Sequence, residues 1–155
     1  MALFDQSRDP YYSGVSWLSS VWLFSSINVV LFFVGNVRFI VGLTMTDLLL
    51  SLPIFTLRTA LILIVLLLGL LVGCWSMAKQ GKEAGLLIGA LIYLADLIAL
   101  VAISILWSNL MIIDLIFHVL ALVMMIRGFV YGVKAKAKVR SNWMMPAAQD
   151  EEADM

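Results

Sequence analysis

The chain has 155 residues, of which 63% are hydrophobic and only 13% are charged, and its mean hydropathy is +1.06. These values lie far outside the range of water-soluble domains, so they predict an integral membrane protein. The formal net charge is zero, which excludes a charge-based argument for a nucleic-acid partner. The single cysteine, Cys74, lies in an apolar run and excludes both an intramolecular disulfide and a multi-cysteine metal site.

Residues 1–14, MALFDQSRDPYYSG, form an N-terminal segment before the first apolar stretch. They lack the basic n-region of a secretory signal, and no small-residue cleavage site follows the first apolar run. We therefore expect the first apolar segment to persist in the mature protein.

Residues 15–133 are predicted to form one helical transmembrane domain. The first two apolar segments in it, 15–34 and 39–57, are less clear than the later ones, because 15–34 contains several serines and Asn28, and 39–57 contains Asp47 and Pro53. Either could lie at the interface or re-enter the membrane rather than cross it. The fold class is an all-α membrane bundle of four or five helices with short loops. Five crossings are the main expectation, and four crossings, with 39–57 not fully spanning, are the alternative. Three further segments each supply the roughly 20 apolar residues that a crossing needs: 59–78, 84–106 and 110–133.

Basic residues indicate the orientation. The loop 79–83 and the C-terminal KAKAKVR hold most of the lysines and arginines, whereas the turn 107–109 holds none. The positive-inside rule then places the loop and the C-terminus in the cytoplasm of a multi-pass inner-membrane protein. Five crossings would put the N-terminus outside.

Asp96 falls close to the bilayer centre, where a charged side chain costs at least a few kcal/mol (about 2.5–3.5 on insertion scales). Folding the chain about Ser108 as an antiparallel hairpin brings Asp96 to nearly the same level as His118, the only histidine. Asp114 precedes His118 by one helical turn, and Tyr93 shares the helix face of Asp96. The sequence therefore predicts an intramembrane polar cluster of Tyr93, Asp96, Asp114 and His118.

Three interpretations of this polar cluster remain open. It could be a structural clasp that fixes the hairpin, because interhelical hydrogen bonds stabilise membrane bundles. It could be a proton or ion path, because histidine titrates near neutrality and intramembrane carboxylates mark relays. Metal binding or catalysis is the third, although one histidine makes a poor zinc site.

A second polar stripe lies on the segment 39–57, where Thr44, Asp47 and Ser51 share one sector of a helical wheel. If this segment spans, Asp47 is a second intramembrane acid and favours transport. If it lies at the interface, Asp47 faces water.

Three small-xxx-small pairs predict close helix packing, because two glycines four residues apart let another helix approach. They occur in GLLVG, GLLIG and GFVYG, and their members are Gly69, Gly73, Gly85, Gly89, Gly128 and Gly132.

Residues 134–155 are predicted to be a flexible C-terminal tail that is first basic and then acidic. Arg127, near the cytoplasmic end of its helix, can extend its side chain to the headgroups. It belongs to a set of basic residues expected to contact lipid headgroups, which also contains Lys134, Lys136, Lys138 and Arg140.

The chain contains no H-E-x-x-H, G-x-S-x-G or P-loop motif. We therefore expect no enzymatic activity, no catalytic residue, no metal and no cofactor. The expected partners are the lipid bilayer and other membrane subunits or copies of this chain.

The residues GALIYLAD followed by DLIFHVLALVMMIRGF resemble the C-terminal part of small bacterial inner-membrane proteins of no assigned function. In these proteins a Tyr-x-x-Asp helix precedes an Asp-x-x-x-His helix that closes with a glycine. The likeness covers the last third of the chain and implies a location rather than an activity.

The sequence favours a non-enzymatic accessory or scaffold subunit of a larger membrane assembly, given its small size, glycine pairs and short loops. The alternative is a small oligomeric transporter or channel that uses Asp96, His118 and Asp47 for proton or ion coupling.

Overall fold

The computed structural model of the chain describes residues 9–35, 42–51, 56–106 and 112–144. All regular structure in these ranges is helical, and every helix but the second is long and apolar enough to cross a membrane. The prediction of an all-α membrane bundle is confirmed, and the chain is a multi-pass membrane protein. The helices are α1 (Pro10–Gly35), α2 (Thr44–Ser51), α3 (Leu57–Lys79), α4 (Glu83–Leu106) and α5 (Ile112–Met144).

Helix α1 begins at Pro10, five residues earlier than the predicted boundary at 15. Asp9 caps it, since its Oδ1 accepts from the Tyr11 amide at 2.8 Å. Proline suits the first helical position, where its missing N–H has no intrahelical partner to lose. The predicted boundary followed hydropathy and marked the apolar span, whereas the helix itself begins at the Asp-Pro start signal.

Within the described part of 39–57, the helical residues are the eight of α2 and Leu57, which begins α3. Eight residues extend about 12 Å, against a hydrocarbon layer of about 30 Å. Residues 36–41 and 52–55 lie outside the described residues. The four long helices therefore fit the alternative of four crossings better than the main expectation of five.

Helices α3 and α4 are joined by a turn at Gly81, whose φ of 79° lies in the left-handed region. The Gly81 amide donates to the Ala78 carbonyl at 2.9 Å, and the Lys82 amide donates to the Met77 carbonyl at 3.0 Å. This pair of hydrogen bonds is a Schellman motif, which ends α3 and reverses the chain.

Helix α5 continues beyond the predicted end at 133 as far as Met144. Residues 134–144, which the sequence assigned to the C-terminal tail, are helical here, because lysine and alanine are good helix formers. The Lys136 ammonium also pairs with the Glu83 carboxylate of α4 at 2.6 Å. Residues 145–155, with the acidic run, lie outside the described residues.

In the bundle, α1 packs against α5 and α3, and α4 packs against both α3 and α5. The Tyr11 hydroxyl donates to the Ala78 carbonyl at 2.6 Å, which places the start of α1 beside the α3–α4 turn. A Cβ on Gly132 of α5 would approach Tyr11 and Glu83, so the C-terminal part of α5 lies there too. We call the end of the bundle that contains Tyr11, the α3–α4 turn and Gly132 the basic end. The start of α1 and the C-terminal part of α5 therefore lie on the same side of the bundle. Five spans would place these two ends on opposite sides of a membrane, and the side on which the N-terminus lies stays a prediction.

Candidate functional site: the intramembrane polar cluster

Asp96 is the centre of the polar cluster, in the interior of the bundle and only 1% exposed. Its Oδ2 lies 2.8 Å from Nε2 of His118 on α5. The same oxygen accepts from the Thr44 amide at 2.9 Å, and Oδ1 accepts from the Met45 amide at 2.8 Å. The carboxylate therefore connects three helices, α2, α4 and α5.

His118 is fully buried and uses both ring nitrogens. Nδ1 lies 2.8 Å from the Asp114 backbone carbonyl oxygen. Because a carbonyl can only accept, Nδ1 carries the hydrogen in this bond. A second proton then joins Nε2 and Asp96 Oδ2, since without it two acceptors would face each other at 2.8 Å. The pair shares this proton either as imidazolium and carboxylate or as imidazole and carboxylic acid.

Tyr93 and Asp114 complete the predicted set. The Tyr93 ring stacks on the His118 imidazole, with centroids 4.6 Å apart and planes 5° from parallel. Oδ1 of Asp114 lies 3.4 Å from His118 Nδ1, and this residue is 7% exposed. The structure thus brings together all four members of the polar cluster, with the Asp114 backbone making the shorter contact.

The first turn of α2 is fixed by side chains of other helices. Thr44 and Met45 begin the helix, where amides have no intrahelical acceptor. Asp96 supplies that acceptor through both of its carboxyl oxygens, and in the ionised form its charge also suits the positive end of the helix dipole. The Leu43 amide donates to Ser25 Oγ of α1 at 2.9 Å. The first turn of α2 is therefore held at the level of Asp96 in the bundle.

These contacts to α2 were missed by sequence reasoning. Leu43, just before α2, has no side chain that could cap a helix, so the amides of Thr44 and Met45 need an acceptor from elsewhere. The lack of a capping side chain at Leu43 points to an acceptor on another helix only when the start of α2 is already known. Ser25 was likewise not singled out, because serines are common in α1.

The second predicted polar stripe is described only in part. Thr44 joins the polar cluster through its backbone amide. The side chains of Asp47 and Ser51 lie outside the described part of the structure.

Three buried polar atoms around the cluster have no hydrogen-bond partner among the described residues: Tyr93 Oη, Thr44 Oγ1 and Asp114 Oδ1. Buried polar groups are seldom left unsatisfied, and ordered water commonly satisfies those that have no protein partner. The polar cluster therefore has hydrogen-bonding capacity beyond its direct contacts.

Metal ligation does not suit the polar cluster. Each nitrogen of His118 is already within hydrogen-bond distance of an oxygen, so neither presents a free lone pair. Within the described ranges, no group of three or more His, Cys, Asp or Glu residues is arranged to hold a metal ion.

The six predicted packing glycines divide into two groups. Four lie against other helices: Gly85 faces the Cys74 carbonyl, Gly89 faces Leu18, Gly128 faces Gly14, and Gly132 faces Glu83 and Tyr11. In contrast, an added Cβ on Gly69 or Gly73 of α3 would have no atom of the described residues within 4 Å. Two of the three glycine pairs therefore pack against other helices inside the bundle, and the third pair, with the same spacing, faces outward.

The basic residues predicted to contact headgroups lie on α5. Their side chains are exposed at positions 127, 134, 136 and 138. Lys136 uses its ammonium on Glu83, and the side chain of Arg140 lies outside the described part.

Comparison of the chain with family models, with curated proteins and with solved structures found no match. The resemblance to small bacterial inner-membrane proteins stays a prediction.

Proposed function

We propose that this multi-pass protein is a non-enzymatic accessory or scaffold subunit that associates with other membrane helices through the outer face of α3. We define the α3 outer face by Ile62, Val65, Leu66, Gly69 and Gly73. The observation that carries the proposal is the uncovered Gly69–Gly73 pair, in a bundle where the other two glycine pairs are covered by neighbouring helices.

The position of this pair on α3 supports the proposal. The buried residues of α3 include Ala60, Ile64, Leu71 and Ala78, and they mark the side that packs within the bundle. At about 100° per residue, Gly69 lies roughly opposite that side. The two glycines leave a shallow path along which another helix backbone could run closely.

The large side chains beside the glycines supply the rest of the surface. Ile62, Val65 and Leu66 are 53%, 66% and 65% exposed. Lipid tails are as apolar as these side chains, so association in a bilayer depends on close packing rather than on hydrophobicity. Glycines flanked by larger aliphatic side chains give the complementary shape that such packing needs.

The internal polar cluster supports a structural role within the subunit. Asp96 and His118 are 1% and 0% exposed, and each makes its short contacts to groups of its own chain. A closed arrangement of this kind suits a clasp that orders α2, α4 and α5. We also propose that the basic end faces the cytoplasm of a bacterial inner membrane, since it carries Lys79, Lys82 and the lysines of α5.

The test is affinity purification of the tagged full-length protein from native membranes in a mild detergent. The variant Gly69→Ile/Gly73→Ile adds bulk where the monomer has open space, so folding should persist while association is lost. The matched control is Ala95→Ile/Ala102→Ile, which adds similar bulk at two exposed alanines of α4. Wild type and control should retain the same co-purifying subunits or the same oligomer. Equal recovery with the glycine variant, or a wild-type monomer without associated proteins, would contradict the proposal.

A second candidate function is proton or ion transport through the polar cluster. The three buried polar atoms without a hydrogen-bond partner among the described residues favour it, because such atoms can order water along a path. The test is flux in liposomes for wild type and for Asp96→Asn/His118→Gln. Wild-type flux that the double substitution abolishes supports transport, and unchanged flux removes it.

A further inference from the structure

A shallow groove of about 510 Å³ lies on the outward side of α5, and Pro10 of α1 forms part of its wall. Its volume is within the range of small-molecule sites in proteins, about 300–1,000 Å³. The groove has an apolar part formed by Val123, Ile126 and Val130 and a polar part formed by Arg127, Tyr131 and Lys134. It lies on a different side of the molecule from the α3 outer face, so a ligand bound in the groove is independent of the proposed function.

The two cations of the groove share one helix face. Arg127 and Lys134 are seven residues apart, nearly two full turns, and this separates their Cα atoms by about 10 Å along the axis. Tyr131 lies between them and adds a phenol at the level where membrane proteins favour aromatic rings. Both Arg127 and Lys134 could therefore contact one anion that lies between them.

The positions of Arg127 and Lys134 relative to the hydrocarbon layer indicate which kind of anion the groove binds. Measured from the start of α5 at Ile112, Lys134 lies about 33 Å along the helix and Arg127 about 22 Å. The hydrocarbon layer is about 30 Å thick, so the Cα atom of Lys134 lies near its boundary and the Cα atom of Arg127 lies inside it. An arginine inside this layer is costly unless its guanidinium extends to the headgroups or meets an anion.

Arg127 has no hydrogen bond or ion pair with the part of the chain that the structure describes. The guanidinium is therefore available for an external oxyanion, and its planar geometry suits two parallel hydrogen bonds to a phosphate.

We propose that this groove binds an anionic glycerophospholipid, with the phosphate between Arg127 and Lys134 and one acyl chain along Val123, Ile126 and Val130. The chemistry of the two parts selects this ligand. A free phosphate would leave the apolar part uncovered, and a neutral zwitterionic lipid would carry its own cation against two protein cations. An anionic lipid matches both the charge and the apolar surface.

The experiment measures the melting temperature of the full-length protein in neutral detergent micelles. Phosphatidylglycerol replaces phosphatidylcholine stepwise at constant total lipid. Wild type should melt at a higher temperature as phosphatidylglycerol increases. Arg127→Gln/Lys134→Gln should need about tenfold more of this lipid for the same shift, because two charge-assisted contacts are lost.

Two further variants separate a lipid site from general attraction to the basic end. Lys79→Gln/Lys82→Gln removes two exposed cations at that end but outside the groove, and it should behave as wild type. Val130→Trp keeps the cations and fills the apolar part, so it should weaken the lipid effect. Native mass spectrometry of retained lipid gives a second readout that does not depend on the stability of each variant.

The proposal is overturned if phosphatidylcholine gives the same shift as phosphatidylglycerol, or if the two lysine substitutions outside the groove reduce the effect as much as those inside it. Inorganic phosphate alone should give no shift at the same concentration. A full shift with phosphate would show a simple anion site and would overturn the assignment to a lipid.

Discussion

Asp96 and His118 meet side chain to side chain in the interior of the bundle, with 2.8 Å between Oδ2 and Nε2. The contact closes the hairpin of α4 and α5. Because Asp96 also accepts the amides of Thr44 and Met45, the same carboxylate fixes α2, a helix too short to cross the membrane. One side chain thus determines the position of three elements.

Replacing Asp96 with Asn should lower the free energy of unfolding by about 3–5 kcal/mol. An amide offers one oxygen where the carboxylate offers two, so at least one amide of α2 loses its acceptor. Reversible unfolding in detergent measures the loss, and hydrogen exchange at Thr44 and Met45 should become faster. Asp114→Asn is the control, since its carboxylate makes only the longer contact of 3.4 Å. An equal loss in both variants would contradict the role given to Asp96.

His118→Phe should couple energetically to Asp96→Asn. Phenylalanine preserves a ring against Tyr93 but removes both hydrogen bonds of the imidazole, so each single change damages the same interaction. The double variant should therefore lose less stability than the sum of the single losses, by about 0.5–3 kcal/mol. Asp96→Asn combined with Asp9→Ala serves as the additive control, because Asp9 caps α1 at the basic end. Additive losses for both pairs would contradict direct coupling between Asp96 and His118.

The glycines of α3 and α4 should respond oppositely to alanine. At Gly85 the new Cβ would meet the Cys74 carbonyl and would lie 2.7 Å from the Ala78 nitrogen. We expect a loss of about 1–3 kcal/mol, because overpacking forces the helices apart. At Gly69 the Cβ meets no described residue within 4 Å, so the thermal stability of the monomer should be unchanged or slightly raised. Similar losses at the two sites would show that Gly69 is covered within the monomer.

Asp9→Ala should lower stability by about 1 kcal/mol, because the Tyr11 amide loses its capping acceptor. The loss should be local and should appear as faster hydrogen exchange at the start of α1. Asp9→Asn keeps an oxygen for the cap and should preserve most of the protection. If both substitutions left exchange unchanged, Asp9 would not determine where α1 begins.

The Asp96–His118 contact could be predicted from the sequence, because helix geometry and a short turn determine which residues of two neighbouring helices lie at the same level. The hydrogen bonds from the amides of Thr44 and Met45 to Asp96 could not be predicted, since an acid in a membrane helix can find hydrogen-bond partners in the backbone as well as in side chains. The start of α1 was readable in Asp9-Pro10 but was missed by counting apolar residues.

The glycine pairs show a different limit of sequence reasoning. GLLVG on α3 and GLLIG on α4 have the same spacing and nearly the same composition, yet Gly85 and Gly89 face neighbouring helices, whereas Gly69 and Gly73 face outward. A local pattern predicts that a close approach is possible. Which helix makes that approach depends on the packing of the whole bundle.

The most direct test of the subunit hypothesis is photo-cross-linking in native membranes, with a photoreactive amino acid placed at one position at a time. Leu66 and Ile62, on the α3 outer face, should give a discrete adduct with another subunit or with a second copy. Ile98 of α4 and Ile116 of α5, which are 62% and 54% exposed, should react mainly with lipid. Adducts of equal yield at all four positions, or none at Leu66 and Ile62, would contradict association through the α3 outer face.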